Sequence, residues 1–228
     1  MEGVYFFKTS TPISFSEQML CSCDNTENQG CDGGFMDEAF KWISENGLCT
    51  ESSYPYVSGD GVVPDCESTC KVVSGLLGVS YTDVANSEAS LAAAVAQQPV
   101  SVAVDAGDSW YLYESGIFTQ TAGTELNHAV LAVGYGVSSA GKKYWKIKNS
   151  WGDTWGEGKL FHLAISATHT TRLVNKPTTF SSRSTPSWLH PHSEGHPSAG
   201  RPLRHDRGCE LPHLELNDVS ILFVSWLG

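Results

Sequence analysis

Long apolar runs are missing from this chain of 228 residues. A membrane-spanning helix needs about 20 predominantly apolar residues. Even the most apolar stretch, Val219 to Leu227, is too short for that role. Basic residues are scarce, 14 Lys and Arg against 25 Asp and Glu, and the formal charge is −11. That balance excludes nucleic acid and anionic membrane as principal partners. Histidine is nearly absent from the first 160 residues, where His128 stands alone, and no two cysteines form a CxxC pair. Zinc sites are built from such pairs or from Cys/His clusters, so no metal and no other cofactor is expected. The opening residues, Met1 to Ser10, carry neither the basic start nor the long apolar middle of a signal peptide.

What the chain does have is a dense cysteine segment. Six of its seven cysteines (Cys21, Cys23, Cys31, Cys49, Cys66 and Cys70) fall within fifty residues; Cys209 stands apart. Such crowding reads as a disulfide framework formed in an oxidising compartment. The composition then changes near residue 160. Residues 1–160 carry a charge of −12 and one histidine, whereas residues 161–228 carry +1 and the other seven histidines. From His169 to Arg207 the chain is rich in Ser, Thr, Pro, His and Arg without helical or strand period. Such a stretch buries too little apolar area to offset its ordering entropy. The expected organisation is therefore a domain over 1–160 and a divergent, disordered tail over 161–228. Four of that tail's histidines, His190, His192, His196 and His205, and Cys209 beside them reflect biased composition rather than a metal site.

Within the first part, Met36, Ala39, Phe40 and Ile43 share a helical face that stops at Asn46-Gly47. Ser87 to Gln97 is a second, alanine-rich helix. Val100 to Val104 alternates as a strand after Pro99. Ala129 to Tyr135 and Lys143 to Lys148 are two more strands joined by the Gly136 to Gly141 hairpin loop, with Trp145 and Ile147 on one face and Tyr144, Lys146 and Lys148 on the other. Helices first and antiparallel strands later is an α+β order.

Three motifs carry the chemistry. Ser16-Glu17-Gln18 leads through Cys21-Ser22-Cys23 to Gly30-Cys31-Asp32-Gly33-Gly34; Asn127-His128-Ala129-Val130 leads to Gly134-Tyr135-Gly136; and Asn149-Ser150-Trp151-Gly152 precedes Trp155-Gly156-Glu157. Together, in this order and with Ser53-Tyr54-Pro55-Tyr56 and Gln98-Pro99-Val100 between them, they resemble the papain family of cysteine peptidases, its cathepsin L-like branch in particular. The resemblance covers residues 1–160. It implies a papain-like α+β fold, with an incomplete helical half over 1–80 and an antiparallel, barrel-like β half over 81–160 that lacks its last strands.

The resemblance implies site roles residue by residue. His128 is the base that takes a thiol proton, Asn149 holds its imidazole, and Trp151 covers the pair from water. Gly33 and Gly34 offer backbone to a bound peptide. Phe35, Met36, Ala103, Leu126 and Ala129 line an apolar specificity pocket, with Asn127 beside them. Cys23 pairs with Cys66, Cys49 is expected to pair with Cys70, and Cys31 is left unpaired. The nucleophile belongs to a Cys-Gly-Ser-Cys-Trp type segment about 130 residues or more before the histidine, and no such segment occurs among these residues. The expected partners are peptide or protein substrates and cystatin-like inhibitors, the expected state a monomer, and the setting a lysosome, vacuole or the cell exterior. Two functions stay open: a thiol peptidase whose chain here is inactive for want of its nucleophile, and a non-catalytic relative that binds peptides or inhibitors in the cleft.

Overall fold

The computed structural model describes residues 1–67, 69–120 and 126–165, and the backbone of 221–225. Four α-helices precede or interleave with the strands: α1 (Glu2–Thr9), α2 (Glu17–Cys23), α3 (Met36–Asn46) and α4 (Glu88–Val95). Local chemistry sets their starts. Ser16 caps α2 by accepting from the Met19 N–H at 3.0 Å, and Ser87 caps α4 by accepting from the Ser90 N–H at 3.0 Å. Each satisfies one of the N–H groups a helix leaves without a partner. α3 starts at Met36 and is left at Gly47, as its sequence pattern predicts.

The strands are β1 (Ser80–Val84), β2 (Val100–Val104), β3 (Ile117–Phe118), β4 (His128–Val137), β5 (Lys143–Lys148), β6 (Leu160–Ala164) and β7 (Ile221–Ser225). Among the described residues they form one sheet in the order β1-β7-β2-β4-β5-β6-β3. The architecture is the α+β class expected. One pair departs from the antiparallel expectation: β3 runs parallel to β6, with Ile117 opposite His162. The boundary expected at residue 160 falls inside β6, which continues the sheet to Ala164 through five pairs with β5. A β half short of its last strands is therefore not what is seen: β6 is present, and β7 lies between β1 and β2. Of the tail expected to be disordered, residues 166–220 and 226–228 lie outside the described residues.

Two apolar cores form, one per half. The helical half packs Val4, Phe15, Phe40, Ile43, Leu48, Leu76 and Val79. The β half is aromatic: Trp110 lies 4.5 Å from Phe161 between ring centres, and Tyr113 meets Phe161 at 4.6 Å and Trp155 at 5.5 Å. A third, small cluster of Ala103, Leu126 and Met36 joins β2 to α3 across the halves. Beside it lies a cavity of about 460 Å³, lined by Met1, Val4, Leu20, Phe40, Pro99 and Leu131 among others.

Disulfides Cys23–Cys66 and Cys49–Cys70 tie the helical half together, in the pairings expected. Cys31 corrects the expectation that it is unpaired. It is held in a disulfide, and its partner lies outside the described residues.

Gln18 is the polar knot of this half. It is 1 % exposed. Its amide nitrogen donates to Ser22 Oγ at 2.8 Å and Ser58 Oγ at 2.9 Å. Its oxygen accepts from the Val57 and Ser58 N–H groups at 2.8 and 3.0 Å. A buried N–H stripped of its acceptor costs about 1–3 kcal/mol. Gln18→Met keeps the volume but strands two such groups, so it is expected to lower unfolding free energy by about 2–4 kcal/mol. Urea denaturation of the two proteins measures the difference, and a loss under about 1 kcal/mol contradicts the assigned role.

Candidate active site

The register of β4 against β5 builds the site. Leu131 pairs with Lys148, so one step further along each strand Val130 stands opposite Asn149. His128 and Val130 are successive buried positions of β4 and so point to the same face. Asn149 is thereby the diagonal neighbour of His128 on that face. The result is a hydrogen bond of 2.8 Å between His128 Nε2 and Asn149 Oδ1. Both residues are buried, at 5 % and 3 % exposure.

The direction of that bond is fixed by a third group. The Ser150 N–H donates to the same Asn149 Oδ1 at 2.8 Å. A backbone N–H can only donate, so the oxygen of the amide must be the atom turned towards both neighbours. Nε2 of His128 consequently carries the proton, and Nδ1, on the other edge of the ring, holds the basic lone pair. Asn149 Nδ2 is buried without a hydrogen-bond partner among the described residues.

Trp151 lies over this pair. It is buried, and its indole stacks on His128 with ring centres 5.1 Å apart and planes 26° apart. Trp155 and Trp110 meet it edge-on from the core. Its other stacking partner is Tyr111, at 4.7 Å and 7°. Sequence reasoning missed Tyr111, which lies in none of the three motifs. The available signal was the run Trp110-Tyr111-Leu112-Tyr113, which is too aromatic for a plain surface loop.

The other predicted residues divide into groups. Met36, Ala103 and Leu126 pack together, and Ala129 lies directly opposite Ala103 in the β2–β4 pairing. Phe35 is 37 % exposed at the start of α3. Asn127 spends its side chain on backbone: Oδ1 accepts from the Ala106 N–H at 2.8 Å and Nδ2 donates to the Ala106 carbonyl at 3.4 Å. It thus pins the loop that leads to Tyr111 next to His128.

Gly33 and Gly34 have local reasons to be glycine. Gly33 sits at φ 98°, a region that side chains disfavour. A Cβ on Gly34 would lie 1.9 Å from Asn28 Oδ1, the atom that accepts from the Phe35 N–H at 2.6 Å.

No described thiol shows the activation a nucleophile requires. Cys23, Cys31, Cys49, Cys66 and Cys70 are in disulfides. Cys21 retains a thiol, but burial, and then the nearby Glu17 charge, push its pKa up to about 11. An attacking thiol needs the opposite shift. No group of His, Cys, Asp and Glu able to hold a metal occurs among the described residues.

Comparison with known proteins fits this geometry. A family model described as papain family cysteine protease matches residues 1–179, running past the expected boundary at 160. The senescence-specific cysteine protease SAG39 of Oryza sativa subsp. indica is 52% identical over 167 residues, which are 72% of this chain and 48% of that protein. Cysteine proteinase EP-B 1 of Hordeum vulgare is 45% identical over 195 residues, 78% of this chain and 52% of its own. The chain thus spans about half the length of the curated relatives it matches. Among solved structures, the bromelain protease of Ananas comosus in complex with the E64 inhibitor superposes with TM-score 0.67 at 37% identity, covering 75% of this chain and 77% of that one. The ragweed pollen cysteine protease Amb a 11 in its proform gives 0.66 at 40% identity, covering 73% and 50%.

Behind the indole, Glu157 ties the loop after Tyr111 to β6. The Gly116 N–H donates to its Oε1 at 2.7 Å, Tyr113 OH lies 3.2 Å from the same oxygen, and His162 Nδ1 lies 3.5 Å away. The Gly116 hydrogen bond, with His162 and Tyr113 assisting, holds the Glu157 carboxyl below its usual range. Burial pushes the Tyr113 phenol up to about 12. A carboxylate with a depressed folded-state pKa adds stability that is present above its unfolded pKa, about 4.3, and vanishes as pH falls through the folded value. The Glu157 side chain is 37% exposed, so screening keeps the effect small. Wild type should exceed Glu157→Gln in urea midpoint at neutral pH, and the gap should close on acidification below about pH 4. A gap that widens in acid contradicts this account.

Proposed function

This chain belongs to the papain family of cysteine proteases, and from that premise we propose that it carries the base side of a thiol-dependent peptidase site. His128 is the proton acceptor and donor, Asn149 the residue that positions its ring, and Trp151 the lid. Met36, Ala103 and Leu126, with Phe35 and Ala129 at their edge, form the wall that takes a bulky apolar side chain of a peptide. Gly33 and Gly34 are the backbone against which that peptide lies. The observation that carries this reading is the 2.8 Å bond from His128 Nε2 to Asn149 Oδ1, oriented by the Ser150 N–H. It leaves Nδ1 as the basic nitrogen.

The chemistry follows from that tautomer. A thiol set against Nδ1 gives its proton to His128, and the imidazolium stabilises the thiolate. The sulfur attacks the peptide carbonyl carbon, and His128 returns the proton to the departing amine as the C–N bond breaks. Water, deprotonated by the same imidazole, then cleaves the thioester and releases the acid. The thiol in question is not among the described cysteines, whose sulfurs are bridged or held protonated. We infer that residues 1–228 alone do not turn peptides over. Losing the nucleophile of such a unit costs on the order of a millionfold in rate.

The apolar cluster of Met36, Ala103 and Leu126 also supports a second reading, a non-catalytic protein that binds peptides or cystatin-like inhibitors in the same cleft. The disulfides favour a vacuolar, lysosomal or extracellular setting. Among the described residues no helix is long and apolar enough to cross a membrane.

The test is restoration. A form extended ahead of Met1 by a family Cys-Gly-Ser-Cys-Trp segment should be alkylated by iodoacetamide at pH 5, where an ordinary thiol of pKa about 8.5 is nearly inert. His128→Ala should abolish that reactivity, and Asn149→Ala should weaken it. Retained peptide binding with a cysteine that reacts no faster than a free thiol favours the second reading and removes His128 from its role. The unextended chain should show no hydrolysis that His128→Ala eliminates.

A further inference from the structure

The geometry points to Tyr111 as a positioning residue that acts on His128 through Trp151, holding the lid down on the His128–Asn149 bond. The inference rests on the proposed role of His128 as base. Its observation is separate: three rings lie face to face, Tyr111 on Trp151 at 4.7 Å and 7°, and Trp151 on His128 at 5.1 Å and 26°.

The loop is built to deliver this ring. Trp110, 1 % exposed, is sunk among Phe118 and Phe161. Tyr113 is sunk against Phe161 and Trp155, and its OH donates to the Gly116 carbonyl at 2.7 Å. Asn127 clamps Ala106 upstream. Between these anchors the short turn Asp108–Trp110 leaves Tyr111 turned outwards over the indole. Tyr111 is 44% exposed and Leu112 83%. The segment is therefore not buried as a whole.

The pair has work to do. Among the described residues Trp151 Nε1 is buried without a hydrogen-bond partner, so none of them tethers the indole plane through a polar contact. Edge contacts with Trp110 and Trp155 block it from the core side, and among the described residues Tyr111 is the ring that stacks on it besides His128. An indole held flat keeps water from the Nε2–H and supports the imidazolium through its ring face when His128 takes a proton. Offset ring pairs are worth enough to shift such an opening equilibrium by roughly two- to tenfold.

The readout is exchange of the His128 Nε2–H proton with water, followed by NMR on the full chain and assigned by its loss in His128→Gln. Tyr111→Ala should speed that exchange roughly two- to tenfold while the thermal melt stays cooperative, and Tyr111→Phe should restore the wild-type rate. If the alanine variant does not fold, Tyr111→Leu keeps bulk without a ring and is expected to show the same acceleration. Unchanged exchange in a folded Ala or Leu variant overturns the proposal. So does a phenylalanine variant that behaves like alanine, or unfolding of both Ala and Leu variants, which makes Tyr111 a general stability residue. Asn149→Ala separates the two levels. If it leaves exchange unaltered, the bonded base itself is wrong and the Tyr111 role falls with it; if it accelerates exchange while Tyr111 variants do not, only the role of Tyr111 fails.

Discussion

A register in the sheet governs everything at the cleft. Because Leu131 stands opposite Lys148, the first residue of β4 and the first residue after β5 meet on one face. A slip by one position would send both side chains to opposite sides of the sheet. The register is secured by the aromatic packing beneath it: Trp145 and Ile147 of β5, Phe161 of β6 and the Trp110–Tyr113 loop share one core. The shift between Ala132 and Gly134 accommodates an extra residue above the site, which bends β4 without disturbing its lower pairs. Packing at a distance from His128 thus decides that Asn149 is the residue it meets.

The two halves depend on this sheet unequally. The helical half stabilises itself with disulfides and the Gln18 amide, and it meets the β half at several places, Met36 against Ala103 and Leu126 and Phe40 against Tyr81 of β1 among them. The substrate wall proposed above is therefore also part of the seam between the halves. A side chain entering that wall would pack against β2 and α3 together. The cavity of about 460 Å³ lies along the same seam, where the halves are least filled.

Much of this was legible in the sequence, for identifiable reasons. The apolar face of Met36, Ala39, Phe40 and Ile43 and the Gly47 stop gave α3; alternation gave β2; the Gly136 to Gly141 loop gave the β4–β5 hairpin. His128 and Asn149 were named from motif spacing, and the register explains why that spacing brings them together. What escaped notice was non-local. β3 has two residues and pairs in parallel with a strand more than forty positions away, which no local pattern reveals. β6 contains His162 and follows a turn-rich stretch, so a change in composition near 160 masked a strand fixed by pairing. Tyr111 reads as a loop residue until Trp151 is placed beside it. Cys31 was taken as unpaired because its partner was sought in one place alone.

The two described bridges interleave, since 23 precedes 49 and both close onto a segment only five residues long, Cys66 to Cys70. They enclose spans of 43 and 21 residues. The exchanged pairing would enclose 47 (23 to 70) and 17 (49 to 66). On loop-closure entropy these alternatives differ by only about 0.1 kcal/mol, so an oxidising chain has no statistical reason to choose correctly. The choice must come from structure formed before the sulfurs join. Tyr54 is placed to make it: its hydroxyl lies 4.0 Å from Cys23 Sγ and accepts from the Glu67 N–H at 2.9 Å, holding the backbone beside Cys66 against the correct thiol. A tyrosine that takes no part in the cleft thereby distinguishes the native pairing from the exchanged one within the folded half.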